Sequence, residues 1–396
     1  MKAMILAAGK GTRVRPITDE VPKPMIPILR KPVMESIIEL LRSHGANEIV
    51  VNTSHLSSVI ENYFRDGSQL GVEIAYSYEG CMTDEGLEGK ALGSAGGMKR
   101  IQEFSGFFDE TFIVLCGDAW IDLDIGEALR RHREKGGLAS IILQEAPREE
   151  VYKYGVVKLE ENQRIVKFQE KPNPAEAVSN LINTGIYIFE PDIFEYIPSG
   201  VEYDIGGQLF PALVAAGEEF YGLPMDFQWF DIGSVSGVWA ATRMALQGKI
   251  HGFQMPGKQV KPGIWTGINV SIDWKQVTMT PPVYIGGSSK IEAGAKITGP
   301  CMIGANCVVE NGAEVTECLI GDYTRISGMA SLDKKLIFGG DCISPDGGVM
   351  NVGEAQIRWL VDDMRRMLNP GDLHDMMLFS NMLSFHETIA QEKEVA

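Results

Sequence analysis

The chain has 396 residues, 44% of them apolar, which exceeds what one hydrophobic core usually serves and predicts a globular protein of two or more domains. Its formal net charge of -17 argues against a nucleic acid or an anionic membrane as the main partner, so any anionic ligand needs a local basic spot. No stretch reaches the roughly 18 apolar residues that span a bilayer, "MILAAG" is too short for a signal-peptide core, and the six cysteines include no C-x-x-C pair, so a cytoplasmic protein with free thiols is expected.

Met4 to Ala8 predict a short strand, and the loop after it reads Gly9-Lys10-Gly11-Thr12-Arg13. Residues 1–31 hold Lys2, Lys10, Arg13, Arg15, Lys23, Arg30 and Lys31 against only Asp19 and Glu20, which makes this the basic spot of an acidic chain. Glycines let backbone N–H groups turn toward an anion, and a guanidinium grips phosphate oxygens with two donors. A Gly-rich turn alone is more often structural than catalytic. Pro22-Lys23-Pro24 shifts the balance, because prolines on both sides stiffen the backbone and aim the ammonium. The dinucleotide fingerprint fails, since Val14 stands where its third glycine is needed, and no G-x-x-x-x-G-K-[ST] occurs.

A helix follows at 33–44, with Val33, Ile37, Ile38 and Leu41 on one face and Gly45 as its stop. The apolar runs "EIVVNTS", "VEIAYSY", "TFIVLCGD", "LASIILQE" and "TGIYIFE" alternate with helical stretches and predict an α/β sandwich up to about residue 250. Ligands of such sheets bind beyond the carboxyl ends of the strands, so the residues there matter most. Asp118 ends the strand of "VLCGDAWID", where a carboxylate can carry Mg2+ toward phosphates, although a lone Gly-Asp would be an ordinary turn.

After the Gly/Pro-rich passage 252–263 the periodicity changes. Ile285, Ile291, Ile297, Ile303, Val309 and Val315 are six residues apart, and "YIGGSSKIEAGAKITG" realigns eighteen residues later with "MIGANCVVENGAEVTE". A step of six inside a repeat of eighteen predicts a triangular parallel β-helix over 263–345. The spacing of five from Val315 to Ile320 reads as a trimmed corner, and Cys301 and Cys318 fall one coil apart. From 353 to 396, "EAQIRWLVDDMRRML" and "DLHDMMLFSNMLSFHETIAQEK" predict two amphipathic helices with Asp372 as an N-cap. Their stripe of Met364, Met367, Met376, Met377 and Met382 suits core filling or a subunit contact, and a homo-oligomer is expected.

The stretch "LAAGKGTRVRPITDEVPKPMIPILRKP" resembles the signature of the sugar-phosphate nucleotidyltransferases, over residues 1 to about 245. The resemblance implies a Rossmann-like, mixed, mostly parallel sheet between helices in a catalytic domain of residues 1–250, followed by a left-handed β-helix and the short helical segment. It implies a nucleoside triphosphate and a sugar 1-phosphate as substrates, Mg2+ as cofactor, and a dimer or tetramer. In the family the backbone of Leu6, Ala7, Ala8 and Gly9 holds the base, Gly11, Thr12 and Arg13 cradle the triphosphate, and Lys23 contacts phosphate. Asp118 and Asp231, in "WFDIG", resemble the metal carboxylates. Glu170 and Lys171, in "FQEKP", resemble the residues that take sugar hydroxyls and sugar phosphate. Gly155, in "KYGVV", and Asn183, in "NTGIYIF", resemble sugar contacts. The base edge is read after "VEIAYSYE", which points to Glu79 and to Gly93 in "ALGSAGG", with a long insert between them.

That "ALGSAGG" resembles a stretch of guanylyl- and adenylyltransferases, whereas the chain as a whole resembles the branch that combines this catalytic half with a β-helix at similar length. UTP and glucose 1-phosphate are therefore the expected pair, with GTP and mannose 1-phosphate as the alternative. The chemistry needs charge neutralisation rather than a general base, because the attacking phosphate oxygen is already ionised. Acyl transfer by the β-helix is disfavoured, since none of the six histidines falls within 262–345. A silent regulatory subunit would be expected to lack Arg13, Lys23 or the two aspartates, and all are present.

Overall fold

The computed structural model describes residues 1–84 and 86–366. These fall into two units, one of residues 1–241 with 250–252, the other of 242–249 with the chain from Phe253 onward. The first unit is built on a nine-stranded sheet. Strand β1 (Lys2–Leu6) lies inside it, with Ala3, Met4 and Ile5 wholly buried, as a strand covered on both faces must be. Helix α1 (Val33–Ser43) buries Val33, Met34, Ile37, Ile38 and Leu41, the predicted face, and the chain turns at Gly45 with φ 78°. Each such side chain contributes roughly 1.5–3 kcal/mol of burial.

Strands β2 (Glu48–Thr53), β3 (Glu73–Tyr78) and, after helix α2 (Ser94–Ser105), β4 (Phe112–Cys116) complete a parallel half. Its order is β4-β1-β2-β3, with Leu6 level with both Asn52 and Cys116. The carboxyl ends of these strands therefore share one edge. The short β5 (Ala119–Ile121) follows β4 directly. The other half holds β6 (Ala139–Glu145), β7 (Gly155–Leu159), β8 (Ile165–Glu170), β9 (Leu181–Phe189) and β10 (Phe220–Pro224). Here β9 runs antiparallel to β4, β6 and β7, and β7 antiparallel to β8, so the sheet is mixed. Phe108, Phe112, Phe189, Phe194, Phe210 and Phe220 fill the core on one face, with the rings of Phe112 and Phe194 stacked at 5.8 Å. Last, β11 (Trp229–Asp231) pairs antiparallel with β5 in a separate ribbon.

The second unit is a stack of coils whose sides form three mainly parallel sheets. All six aliphatics of the repeat are at most 2% exposed. Ile285 pairs with Ile303, Ile291 with Val309 and Ile297 with Val315, each eighteen residues on. One coil later the offset is seventeen: Ile303 pairs with Ile320, Val309 with Ile326 and Val315 with Leu332. The corner that lost a residue contains Glu317, at φ 49°. Cys301 and Cys318 are buried, free thiols on adjoining coils.

The first tail helix does not form. Residues 354–360 are mostly turns, and Val361–Asp363 is a strand antiparallel to Thr324–Ile326, with Val361 opposite Ile326 and 3% exposed. The last coil leaves an open edge of backbone donors and acceptors, and a strand satisfies that edge where a helix would not. The apolar residues of this stretch have a helical period, and edge pairing overrides it. The second predicted helix, with Asp372, Met376, Met377 and Met382, lies outside the described residues, as does Met367 of the first, and Met364 is 41% exposed.

Candidate active site

The loop after β1 carries the first group of donors. Ala7 N–H bonds to Asn52 Oδ1 at 2.8 Å, and Gly117 N–H to Leu6 C=O at 3.0 Å, so both neighbours of β1 hold the loop's root. The next amides, from Ala8 to Gly11, make no hydrogen bond to the described residues. Gly9 is exposed with nothing within 4 Å of where a Cβ would stand, which leaves room for a ligand against the backbone. Gly11 is required for two reasons: its φ is 63°, and a Cβ would lie 2.9 Å from Thr18 Cγ2 and 3.1 Å from Lys23 Cβ. Thr18 Oγ1 donates to its carbonyl at 2.9 Å, and Thr12–Val14 form a single 3-10 turn that leaves Thr12 and the Arg13 guanidinium exposed. A run of unpaired amides beside an exposed arginine is suited to an anion.

Asp118 and Asp231 come together although they lie far apart in the chain. The β5–β11 ribbon sets Asp231 opposite Ala119, and Ile232 N–H bonds to Asp118 C=O at 3.2 Å. Lys23 Nζ is ion-paired with Asp118 Oδ2 and is only 11% exposed. It also converges on Asp231, since a Cβ on Gly233 would sit 2.9 Å from Lys23 Nζ and 2.6 Å from Asp231 Oδ1. Burial raises the Asp231 carboxyl above the ordinary carboxylate range; the Asp118 charge adds to this, while Lys23, a 2.7 Å bond from Gly233 N–H and Arg13 oppose it. Among the described residues no three of His, Cys, Asp and Glu gather as a metal-ligand set. Two carboxylates fit a hard cation that takes its remaining oxygens from phosphate and water, and do not fit zinc.

The antiparallel half brings the remaining expected residues onto adjoining strands. Gly155 is directly opposite Glu170, and a Cβ there would lie 2.6 Å from Phe168 Cζ and 3.1 Å from Glu170 Oε2. Lys171 Nζ pairs with Glu170 Oε1 at 2.9 Å, is half exposed, and adopts a left-handed φ of 45° while its N–H bonds to Tyr154 C=O. Asn183, on β9, donates to the Tyr187 hydroxyl at 3.0 Å and accepts from Gly185 N–H at 2.9 Å. Its side chain is thus engaged within its own strand. A cavity of about 610 Å³ adjoins this group, with Arg13, Tyr154, Trp229 and Asp231 in its wall but none of Gly155, Glu170, Lys171 and Asn183. Burial, reinforced by Asp231, pushes the Tyr154 phenol up to about 12, so it stays a neutral hydroxyl. Tyr154 and Trp229 meet edge to face at 5.4 Å, and the buried indole N–H of Trp229 has no partner among the described residues. Neither is among the contacts expected from the sequence, although both stand in the motifs of Gly155 and Asp231. The signal was there for Trp229: it is two residues before Asp231 on a strand, hence on the same side.

Two expected nucleotide contacts have other surroundings. Glu79 is wholly buried, with Oε1 accepting from Asn52 Nδ2 at 2.8 Å and Oε2 from Leu92 N–H at 2.7 Å, so it presents no free oxygen to a ligand. Gly93, at φ 76°, packs against the Tyr203 backbone, where a Cβ would come 2.5 Å from the carbonyl, and it precedes α2. The insert between them folds as a hairpin of Gly80–Thr83 and Gly86–Gly89.

The family model "Nucleotidyl transferase" matches residues 2–248. The chain belongs to the nucleotidyl transferase family. A second model, "Bacterial transferase hexapeptide (six repeats)", matches residues 282–317. This nucleotidyl transferase is 56% identical over 365 residues, 92% of its length and 94% of the relative's, to the UTP–glucose-1-phosphate uridylyltransferase of Synechocystis sp.. It is 34% identical over 252 residues, 62% of its length and 65% of the relative's, to the mannose-1-phosphate guanylyltransferase catalytic subunit beta of Xenopus tropicalis. Among solved structures, UDP-glucose pyrophosphorylase complexed with UDP-glucose superposes with a TM-score of 0.52 at 25% identity, over 62% of this chain and 98% of that one. No helix among the described residues is long and apolar enough to cross a membrane.

Proposed function

We propose that this nucleotidyl transferase joins UTP to glucose 1-phosphate, forming UDP-glucose and releasing pyrophosphate, with Mg2+ as cofactor. The observation that carries the substrate pair is extent: identity to the uridylyltransferase runs through 92% of the chain, whereas that to the guanylyltransferase covers 62%. The free amides from Ala8 to Gly11 and the exposed Arg13 take the triphosphate. Lys171 leaves Glu170 for the sugar phosphate, which frees the Glu170 carboxylate for sugar hydroxyls. Tyr154 and Trp229 wall the cavity beside them.

The sugar phosphate oxygen attacks the α-phosphorus in line, the new P–O bond forms as the bond to pyrophosphate breaks, and no proton has to move. Two polyanions must meet, so the protein's work is to neutralise charge. Arg13 and Lys23 take up the charge that develops on the leaving group. Asp118 and Asp231 would hold Mg2+, which when bound supplies a Lewis acid for the phosphate oxygens. Before that, Lys23 balances the Asp118 charge.

Pyrophosphate release measured across four nucleoside triphosphates and three sugar 1-phosphates tests the assignment. UTP with glucose 1-phosphate is expected to be turned over fastest; a preference for GTP with mannose 1-phosphate would overturn it. We also read the chain as a cytoplasmic homo-oligomer, a dimer or tetramer, with exposed apolar residues such as Ile268 and Met350 in the second unit available for contacts.

A further inference from the structure

Glu79 is a carboxylate sealed from solvent, and burial raises its pKa because the ionised form loses its water. Such a group is costly to keep unless its two acceptor oxygens do what no neutral side chain can. Here both oxygens face donors. Oε1 takes Asn52 Nδ2, and Oε2 takes the Leu92 amide. Asn52, 3% exposed, passes the connection on, since its Oδ1 accepts from Ala7 N–H. Its orientation is dictated from both ends: Ala7 needs an oxygen, and Glu79 needs the NH2. The backbone of Glu79 is equally engaged, donating to Thr53 C=O and accepting from Lys90 N–H and Ser54 Oγ at 2.7 to 2.9 Å. Helix α2 has been fitted around the carboxylate, because a Cβ on Gly97 would lie 2.2 Å from Oε1.

We propose that Glu79 is a positioning residue for the nucleotide, which fixes the spacing between the loop after β1 and the segment Leu92–Gly93 through a relay from Ala7 N–H to Asn52, Glu79 and Leu92 N–H. The proposal deepens the uridylyl-transfer reading and rests on it for the identity of the ligand. The relay has a direction: an acceptor meets Ala7, a donor meets Glu79, and an acceptor meets Leu92. Glutamine at position 79 cannot serve it, since its amide nitrogen must face a donor at one end. Aspartate at position 52 serves it poorly, since two carboxylates then meet and must either repel or take up a proton. The two changes together restore it with reversed polarity. In the double variant the aspartate at position 52 accepts from Ala7 N–H and from the new side-chain amide at position 79, whose own carbonyl oxygen accepts from Leu92 N–H.

The experiment compares Glu79→Gln, Asn52→Asp and the double variant in the full chain. Each single change is expected to raise the KM for UTP roughly 10-fold or more, with kcat and the KM for glucose 1-phosphate within about 3-fold, because Glu79→Gln sets donor against donor and Asn52→Asp sets carboxylate against carboxylate, in both cases beside the nucleotide loop only. The double variant should return the UTP KM to within about 3-fold of the parent. An unchanged UTP KM in Glu79→Gln, or a double variant no better than the worse single one, overturns the relay. If a single variant does not fold, recovery of the folded state in the double variant supports the relay, and continued misfolding overturns it. Amide hydrogen exchange at Ala7 and Leu92 gives a readout independent of turnover. Protection should fall in the singles and return in the double. Protection that does not move overturns the relay even if the parent proves to use another nucleotide, and protection that moves as expected supports it in that case too.

Discussion

At the level of single residues, the site is a balance of buried charge. Lys23 lies between Asp118 and Asp231, stiffened by Pro22 and Pro24, so its removal leaves two carboxylates facing each other and the leaving group without its cation. Lys23→Ala and Asp118→Asn are each expected to lower kcat by roughly 100-fold or more, the scale of other preorganised charge contacts, and steady-state pyrophosphate release measures it. Near-parental turnover would remove the residue from the mechanism. Asp231 has a consequence for stability as well. Its folded pKa lies above the unfolded value, so folding favours the protonated form; that contribution is complete below the unfolded pKa and is lost as pH rises through the folded one. At neutral pH the ionised carboxylate is therefore a burden on the free protein. Asp231→Asn should raise Tm at pH 7 while it lowers kcat, and the gain should shrink as the pH is lowered toward about 4 and below. A Tm that falls at pH 7 would show that the Lys23 and Gly233 contacts outweigh desolvation.

Among the elements, strands carry the site, and local period is a good guide only where packing agrees with it. The aliphatic ladder from Ile285 to Val315 announced its register because every coil must offer one inward side chain per face, and even the seventeen-residue offset was visible as a gap of five. The stretch 354–366 had the period of a helix and became turns around a three-residue strand, Val361–Asp363, because the open edge at Thr324–Ile326 offered backbone partners that a helix cannot use. This difference is measurable. A chain ending at 366 keeps Val361–Asp363 on that edge and sets the reference denaturant midpoint. One ending at 352 exposes the edge and loses the burial of Val361, about 1.5–3 kcal/mol, so its midpoint should fall. Equal midpoints for the two would mean that the strand contributes nothing. The hairpin insert after Glu79 is the converse case: its length was evident, but its bearing on the nucleotide was not, because the buried partners of Glu79 lie at positions 52 and 92.

For the molecule taken whole, the two truncated chains also test assembly. If residues 367–396 join subunits, the chain ending at 366 has a smaller mass by light scattering than the parent, and an unchanged mass locates the contact elsewhere. Features written in local order were legible from the chain alone: the basic loop between its glycines and Pro22-Lys23-Pro24, the α/β alternation, the six-residue step, and the family that the opening stretch resembles. These are short-range or periodic, and each position's neighbours in the chain are also its neighbours in space. Folding alone settled which distant residues share a surface. The pairing of β5 with β11 brought Asp118 to Asp231, the antiparallel strands set Gly155 against Glu170, and Tyr154 and Trp229 came together as a cavity wall. The same packing closed over Glu79, so that a carboxylate expected to touch a ligand became the link between two loops. A side chain's partners depend on every element packed around it, and no window along the chain contains them.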